Sequence, residues 1–169
     1  MSKRVYLAGP AVFHPAARQV FEYLVEVCAR HGLEAITPET GDLDLSAPDR
    51  GAVAAAIRAQ NLDKIRAADA VIACISPFRG PGADAGTAWE MGYAEALGKP
   101  VVAWSEEAGD YRSRVAADVD PKGVYWCRQH GMIVEDFGLT DNLMLTAGPV
   151  PAERDFEADV KAAATLLSS

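Results

Sequence analysis

Two short apolar runs, Ala70-Val-Ile-Ala-Cys-Ile75 and Val101-Val-Ala-Trp104, enclose a stretch that cannot be strand. Each run has the length and composition of a strand buried on both faces. Between them, Pro77, Gly80, Pro81 and Gly82 forbid regular structure up to Asp84. Asp84 is then a natural helix N-cap, with Thr87 three residues on. Strand, glycine-rich loop, helix and strand in that order demand a parallel sheet with helices laid over it.

The same alternation runs along the rest of the chain. Arg4-Val-Tyr-Leu-Ala8 predicts a first strand, stopped by Gly9-Pro10. Pro15 can open a helix that runs to about His31, with Val20, Leu24, Val27 and Cys28 three or four apart and Gly32 as its C-cap. Leu33 to Thr37 is a short second strand, ended by Pro38. Glu39 to Gly51 is a loop carrying Glu39, Asp42, Asp44 and Asp49, either a solvated connection or a flap over a pocket. A helix from about Asp49 to Ala68 presents Val53, Ile57, Leu62 and Ile65 on its apolar side. Further on, a short helix around Arg112–Ala117, a fifth short strand at Met132-Ile-Val-Glu135 and a last helix over Asp155–Leu167 are expected. The fold class is therefore α/β, an open parallel sheet of about five strands with helices on both faces, in a single domain over residues 1–169.

Charge and cysteine usage narrow the function. The 169 residues carry a net charge of −8, and no run of basic residues forms a patch, which argues against a nucleic-acid partner. No apolar stretch approaches the ~20 residues needed to cross a membrane. The N-terminal Met-Ser-Lys-Arg enters a strand at once, so no signal peptide is expected and the cytoplasm is the default compartment. Cys28 and Cys74 fall in apolar runs as small core residues, and Cys127 with His130 lacks further ligands at metal spacing, so no metal site is expected. Neither a Walker A pattern nor G-x-G-x-x-G after the first strand is present, and no cofactor is implied. His14, near the expected mouth, reads as a loop histidine without a role.

In an open parallel sheet, ligands bind beyond the carboxyl ends of the strands. Gly9-Pro10, Pro38-Glu39 and Ser76–Asp84 converge there, with Glu90 one to two turns into the helix behind them. Gly86 and Gly92 each cost roughly 1 kcal/mol in a helix relative to Ala, which suggests a constraint beyond helix formation. Glu90 stands between Trp89 and Met91 and is either a solvated surface acid or one of a working pair with Asp84. Two such carboxylates suit glycosidic bond exchange: one attacks the anomeric carbon while the other, kept protonated, assists the leaving group. Burial and mutual repulsion would raise one of the two pKa values and separate the roles. Asn61, inside a helix, is by itself an ordinary solvated amide.

The run Tyr6-Leu-Ala-Gly-Pro10, the block Asn61-Leu…Ile65…Ala68-Asp69, the stretch P-F-R-G-P-G-A-D-A-G-T-A-W-E-M-G-Y-A-E-A-L-G-K-P and the segment F-G-L-T-D-N-L-M-L resemble the nucleoside 2-deoxyribosyltransferases from about Val5 to Leu145. The resemblance implies a flavodoxin-like fold and exchange of 2-deoxyribose between nucleobases through a covalent sugar–enzyme ester. It gives Glu90 as the nucleophile, Asp84 as the acid that contacts and protonates the base, and Tyr6 as the tyrosine that orients the nucleophile. Asn61 falls where some members carry an active-site Asp, and Phe13 matches an aromatic that stacks on the base. Asn142 and Met144 match residues lent to a neighbouring subunit's sugar site, so a homo-oligomer with shared sites is implied. The implied partners are small deoxynucleosides and free nucleobases, in nucleotide salvage, with neither nucleic acid nor membrane. Two alternatives stand beside it. One is hydrolysis of deoxynucleosides or their 5′-monophosphates, with Arg79 or another cation holding the phosphate, although the mouth loops hold no Ser and Arg cluster. The other is a nucleotide sensor without turnover, against which the complete acid pair argues.

Overall fold

A computed structural model describes residues 2–41, 43–148 and 155–168; Asp42 of the acid-bearing loop lies outside the described residues. Four strands, β1 (Lys3–Ala8), β2 (Leu33–Ile36), β3 (Ala70–Cys74) and β4 (Val101–Trp104), pair in parallel in the order β2-β1-β3-β4. Chain order reverses between β1 and β3, and that reversal opens a crevice beyond their carboxyl ends. The segments leaving these strands are in close contact there: a Cβ on Gly9 would stand 2.9 Å from the Cβ of Cys74, so only glycine fits.

Strand alternation sorts the core into two layers. Val5, Leu7, Ala70, Ile72 and Val102 face α1 (Ala17–Arg30) and a C-terminal helix over Phe156–Leu166, where Phe21, Leu24, Val27, Phe156 and Val160 complete the cluster. Tyr6, Ala8, Val71, Ala73 and Ala103 face the other way, onto Ile65 of α2 (Arg50–Ala67) and Met91 and Ala94 of α3 (Ala85–Ala96). The register Tyr6↔Val71 and Val71↔Val101 places Tyr6 in an inner row of the second layer. A tyrosine at an even position of β1 therefore looks at α3 rather than at α1.

Helix boundaries follow from capping. Asp49 accepts from Ala52 N–H at 2.9 Å and starts α2, and Asp84 accepts from Thr87 N–H at 2.9 Å and starts α3. The first helix starts two residues later than Pro15, because Pro10–Phe13 forms a 3-10 turn whose end is tied by the His14 N–H to Ala11 O bond.

Two expectations are corrected. The parallel sheet has four strands, not about five: Met132–Glu135 stays outside it, with Ile133 making a single antiparallel bridge to Trp126. Met132 and Ile133 are exposed and only Val134 is buried, whereas a strand of a helix-covered sheet needs both faces apolar. The helix expected over Arg112–Ala117 is one turn, α4 (Tyr111–Arg114), and Ala117 instead begins β5 (Ala117–Val119), paired with β6 (Tyr125–Cys127). The Asp120 carboxylate causes this by accepting the N–H groups of Lys122 and Val124 at 2.8 and 2.9 Å, which closes a hairpin. The remaining helices are α5 (Leu143–Thr146) and α6 (Phe156–Leu166).

Ile72 is 1% exposed in the middle of the sheet. Ile72→Ala should lower the unfolding free energy by about 2–5 kcal/mol in a urea titration. Val25→Ala, on the exposed side of α1, should stay within roughly 0.5 kcal/mol of the parent.

Candidate active site

Tyr6 has no exposed surface, yet its hydroxyl finds a partner: it donates to Glu90 Oε1 at 2.8 Å. The contact exists because β1 turns Tyr6 toward α3 and because Glu90 lies six residues past the cap, on the flank of α3 that faces β1 and α2. From α2, Asn61 brings its amide Nδ2 to the same Oε1 at 3.5 Å. Asn61 Oδ1 is buried and has no partner among the described residues.

Asp84 is held at the first turn of the same helix. Its Oδ2 accepts from both the N–H and the hydroxyl of Thr87, at 2.9 and 3.2 Å. Gly86 is required by this cap, since a Cβ there would stand 2.9 Å from that oxygen. The glycine that looked costly in a helix is explained by the carboxylate beside it.

Burial pushes the Glu90 carboxyl above the ordinary glutamate range. The Tyr6 hydroxyl pulls the other way, the Asp84 charge adds to the rise, and the Asn61 amide opposes it. The fold thus disfavours the charge on Glu90. Burial, and then the Glu90 charge and hydrogen bond, drive the Tyr6 hydroxyl far above its usual value, so it remains a donor at any working pH.

Glu90 and Asn61 open onto a hollow of ≈ 370 Å³ between α2 and α3, lined also by Ile57, Arg58, Gly86 and Trp89. A larger hollow of ≈ 700 Å³ lies over the other face of the sheet, among Leu7, Gly9, Phe13, Ile72, Trp104 and Phe156, and neither Glu90 nor Tyr6 reaches it. The smaller one is the candidate site, because the Glu90 carboxylate lies there. No group of three or more metal-ligating side chains exists among the described residues. Among them, too, no helix is long and apolar enough to cross a membrane.

The fold thus joins Tyr6, Asn61 and Glu90, with the charge of Asp84 felt at Glu90. A profile of the nucleoside 2-deoxyribosyltransferases matches residues 5–144. The chain belongs to that family. Among solved nucleoside 2-deoxyribosyltransferase relatives, the 2-deoxyribosyltransferase from Leishmania mexicana is 33% identical with a TM-score of 0.78, covering 96% of this chain and 97% of that one. The 2-deoxyribosyltransferase of Bacillus psychrosaccharolyticus, at 22% identity and a TM-score of 0.58 over 94% of this chain and 90% of that one, shares the fold. An uncharacterized protein of Schizosaccharomyces pombe is 35% identical over 114 residues, 66% of this chain. The match spans 54% of that relative's length.

Other expected site residues of this family member stand apart from Glu90 within one chain. Phe13 stacks on Phe78, with ring centroids 5.3 Å apart, and lines the larger hollow. Asn142 caps α5 and donates to Glu135 Oε1 at 2.5 Å, and Met144 is 78% exposed. Arg79 lies over the rings of Phe13 and Phe78, at 5.3 and 4.6 Å, rather than at the hollow.

Sequence reasoning passed over Arg58, whose guanidinium lies 5.0 Å over the Trp89 ring at the rim of the Glu90 hollow. Its position three residues before Asn61, on the same helical face, was the available signal.

The raised Glu90 carboxyl has a consequence for stability. A carboxyl whose pKa is higher in the folded state weakens folding as pH rises through that value and costs nothing once it is protonated. Glu90→Gln should therefore raise the melting temperature at neutral pH, and the gain should vanish below the ordinary carboxylate range. Thermal melts at pH 7 and at acid pH measure both.

Proposed function

We propose that this chain transfers 2-deoxyribose from one nucleobase to another through an ester formed on Glu90. The observation that carries the proposal is the 2.8 Å hydrogen bond from a fully buried Tyr6 hydroxyl to Glu90 Oε1 at the edge of the hollow. A carboxylate with one oxygen fixed by a permanent donor keeps the other available to attack. In the first half-reaction the Glu90 oxygen bonds to the anomeric carbon as the bond from that carbon to the base nitrogen breaks. The proton carried by Asp84 passes to the departing base. A second base then attacks the anomeric carbon from the side just vacated, the bond from that carbon to the Glu90 oxygen breaks and frees the carboxylate, Asp84 takes a proton back from the incoming base, and the configuration is retained.

Asp84 Oδ2 is occupied by Thr87, which leaves Oδ1 to face the base. The buried Oδ1 of Asn61 needs a donor, and a hydroxyl or amino group of the ligand can supply one. Phe13 is given to the base by the family resemblance alone, since within one chain it lines the larger hollow and not the one that holds Glu90.

Asn142 and Met144 are assigned to a neighbouring subunit's sugar site. Met144 is 78% exposed, and Trp126, Met132, Ile133 and Phe137 are exposed in the segments before it, which supports this, since exposed apolar side chains in number mark contact surfaces. The implied assembly is a homo-oligomer of shared sites.

A second activity has one observation behind it. Arg58 lines the hollow that holds Glu90, so a substrate with a 5′-phosphate would meet a cation there, and water in place of the second base would give hydrolysis.

Incubation with thymidine or deoxyinosine and free adenine should yield deoxyadenosine by chromatography; free base and deoxyribose alone would mean hydrolysis, and no products would exclude both. Glu90→Ala should lower the rate by at least about three orders of magnitude. Tyr6→Phe removes the bond that lowers the Glu90 pKa, so the acidic limb of the rate profile should move to higher pH. Glu90→Ala and Asn142→Ala chains, each weak alone, should regain turnover when co-assembled, and failure to do so would remove the shared site.

A further inference from the structure

Asp141 is a buried carboxylate, 3% exposed, that the proposed chemistry does not use. Its Oδ2 accepts the backbone N–H of Ala83 at 2.9 Å, and its Oδ1 accepts the N–H of Asn142 at 2.7 Å. Ala83 is the residue immediately before Asp84. Arg114, itself largely covered, completes a clamp: Nη2 lies 3.8 Å from Asp141 Oδ2 and also donates to Thr140 O, and Nε donates to Pro81 O at 2.9 Å. A Cβ at Gly82 would stand 3.3 Å from Asp141 Oδ1, so the loop approaches the carboxylate as closely as its backbone allows. Pro81, Gly82 and Ala83 thus lead into Asp84 under control of two side chains from a distant part of the chain.

We propose that Asp141, locked by Arg114, is a positioning residue that fixes the turn carrying the acid Asp84. The inference rests on the assignment of Asp84 as the group that protonates the leaving base. Asp84 has only its cap to hold it from the helix side, through Thr87. On the loop side, Arg114 holds Pro81 O and the Phe78 N–H holds Gly82 O, and the Ala83 N–H bond to Asp141 is the one next to Asp84. A carboxylate is needed for the pair of bonds, because it presents acceptors at both oxygens, whereas an amide would set its NH2 against one of the two N–H groups. Displacement of an acid by about 1 Å costs up to about a hundredfold in rate. That loss falls only on substrates whose leaving group must be protonated.

The test therefore compares two substrates: a natural deoxynucleoside, and p-nitrophenyl 2-deoxyriboside, whose nitrophenolate departs without a proton. Glu90→Ala should abolish turnover of both, and Asp84→Asn should impair the nucleoside far more than the nitrophenyl compound. Asp141→Asn should follow Asp84→Asn, with kcat on the nucleoside down at least about tenfold, KM little changed and nitrophenolate release down by no more than about threefold. Arg114→Gln, which loosens the same loop from its other side, should show the same selectivity and serves if Asp141→Asn does not fold. Equal loss on both substrates, or no loss on either, in these variants would overturn the proposal. Should Asp84→Asn itself fail to discriminate, or Glu90→Ala retain turnover, the acid–nucleophile assignment falls and the positioning role with it; that outcome is distinct from an unselective Asp141→Asn beside a selective Asp84→Asn.

Discussion

A buried phenol and a half-buried carboxylate share one hydrogen bond, and the rest of the molecule is arranged so that they can. Tyr6 sits on an inner strand of the sheet with no surface of its own, and Glu90 comes from the helix laid across it. Left without Glu90, the hydroxyl would cost about 1–3 kcal/mol as an unsatisfied buried donor. Without Tyr6, the carboxylate would lose the strongest of the contacts that offset its burial. Each group makes the other tolerable. The register of β1 against β3 and the packing of α3 on the second layer bring the two within 2.8 Å.

The tension is not fully removed. Glu90 remains harder to ionise than a glutamate in water, and Asn61 keeps a buried acceptor without a partner. Unmet polar capacity in an otherwise apolar second layer has the character of a site that awaits a ligand. The larger hollow on the opposite face has the volume but lacks the carboxylate, so size and chemistry point to different sides of the sheet.

Much of this was legible in the chain. Short β-branched runs between helical segments named a parallel sheet, and Asp49 and Asp84 marked helix starts that the structure keeps to the residue. The meeting of Tyr6 with Glu90 was reached through motif resemblance, and strand parity supplies its physical reason. Other features were hidden. Met132–Glu135 has the composition of a strand, but the exposure of Met132 and Ile133 is decided by what packs there, which periodicity over four residues does not report. Gly86 signalled a constraint beyond helix formation, and the Asp84 oxygen 2.9 Å from its missing Cβ supplies it. Asp141 was invisible because its partners, Ala83 and Arg114, lie 58 and 27 residues away, and only the folded chain brings them together.

Asp141 holds Ala83 with one oxygen and Asn142 with the other. A single residue therefore sets both the loop that leads into Asp84 and the root of the short α5 helix that projects Met144 outward. Any change of size or charge at this position is inherited by both places at once. Lineages that retune one of them are obliged to compensate in the other, so these two stretches are expected to evolve as one.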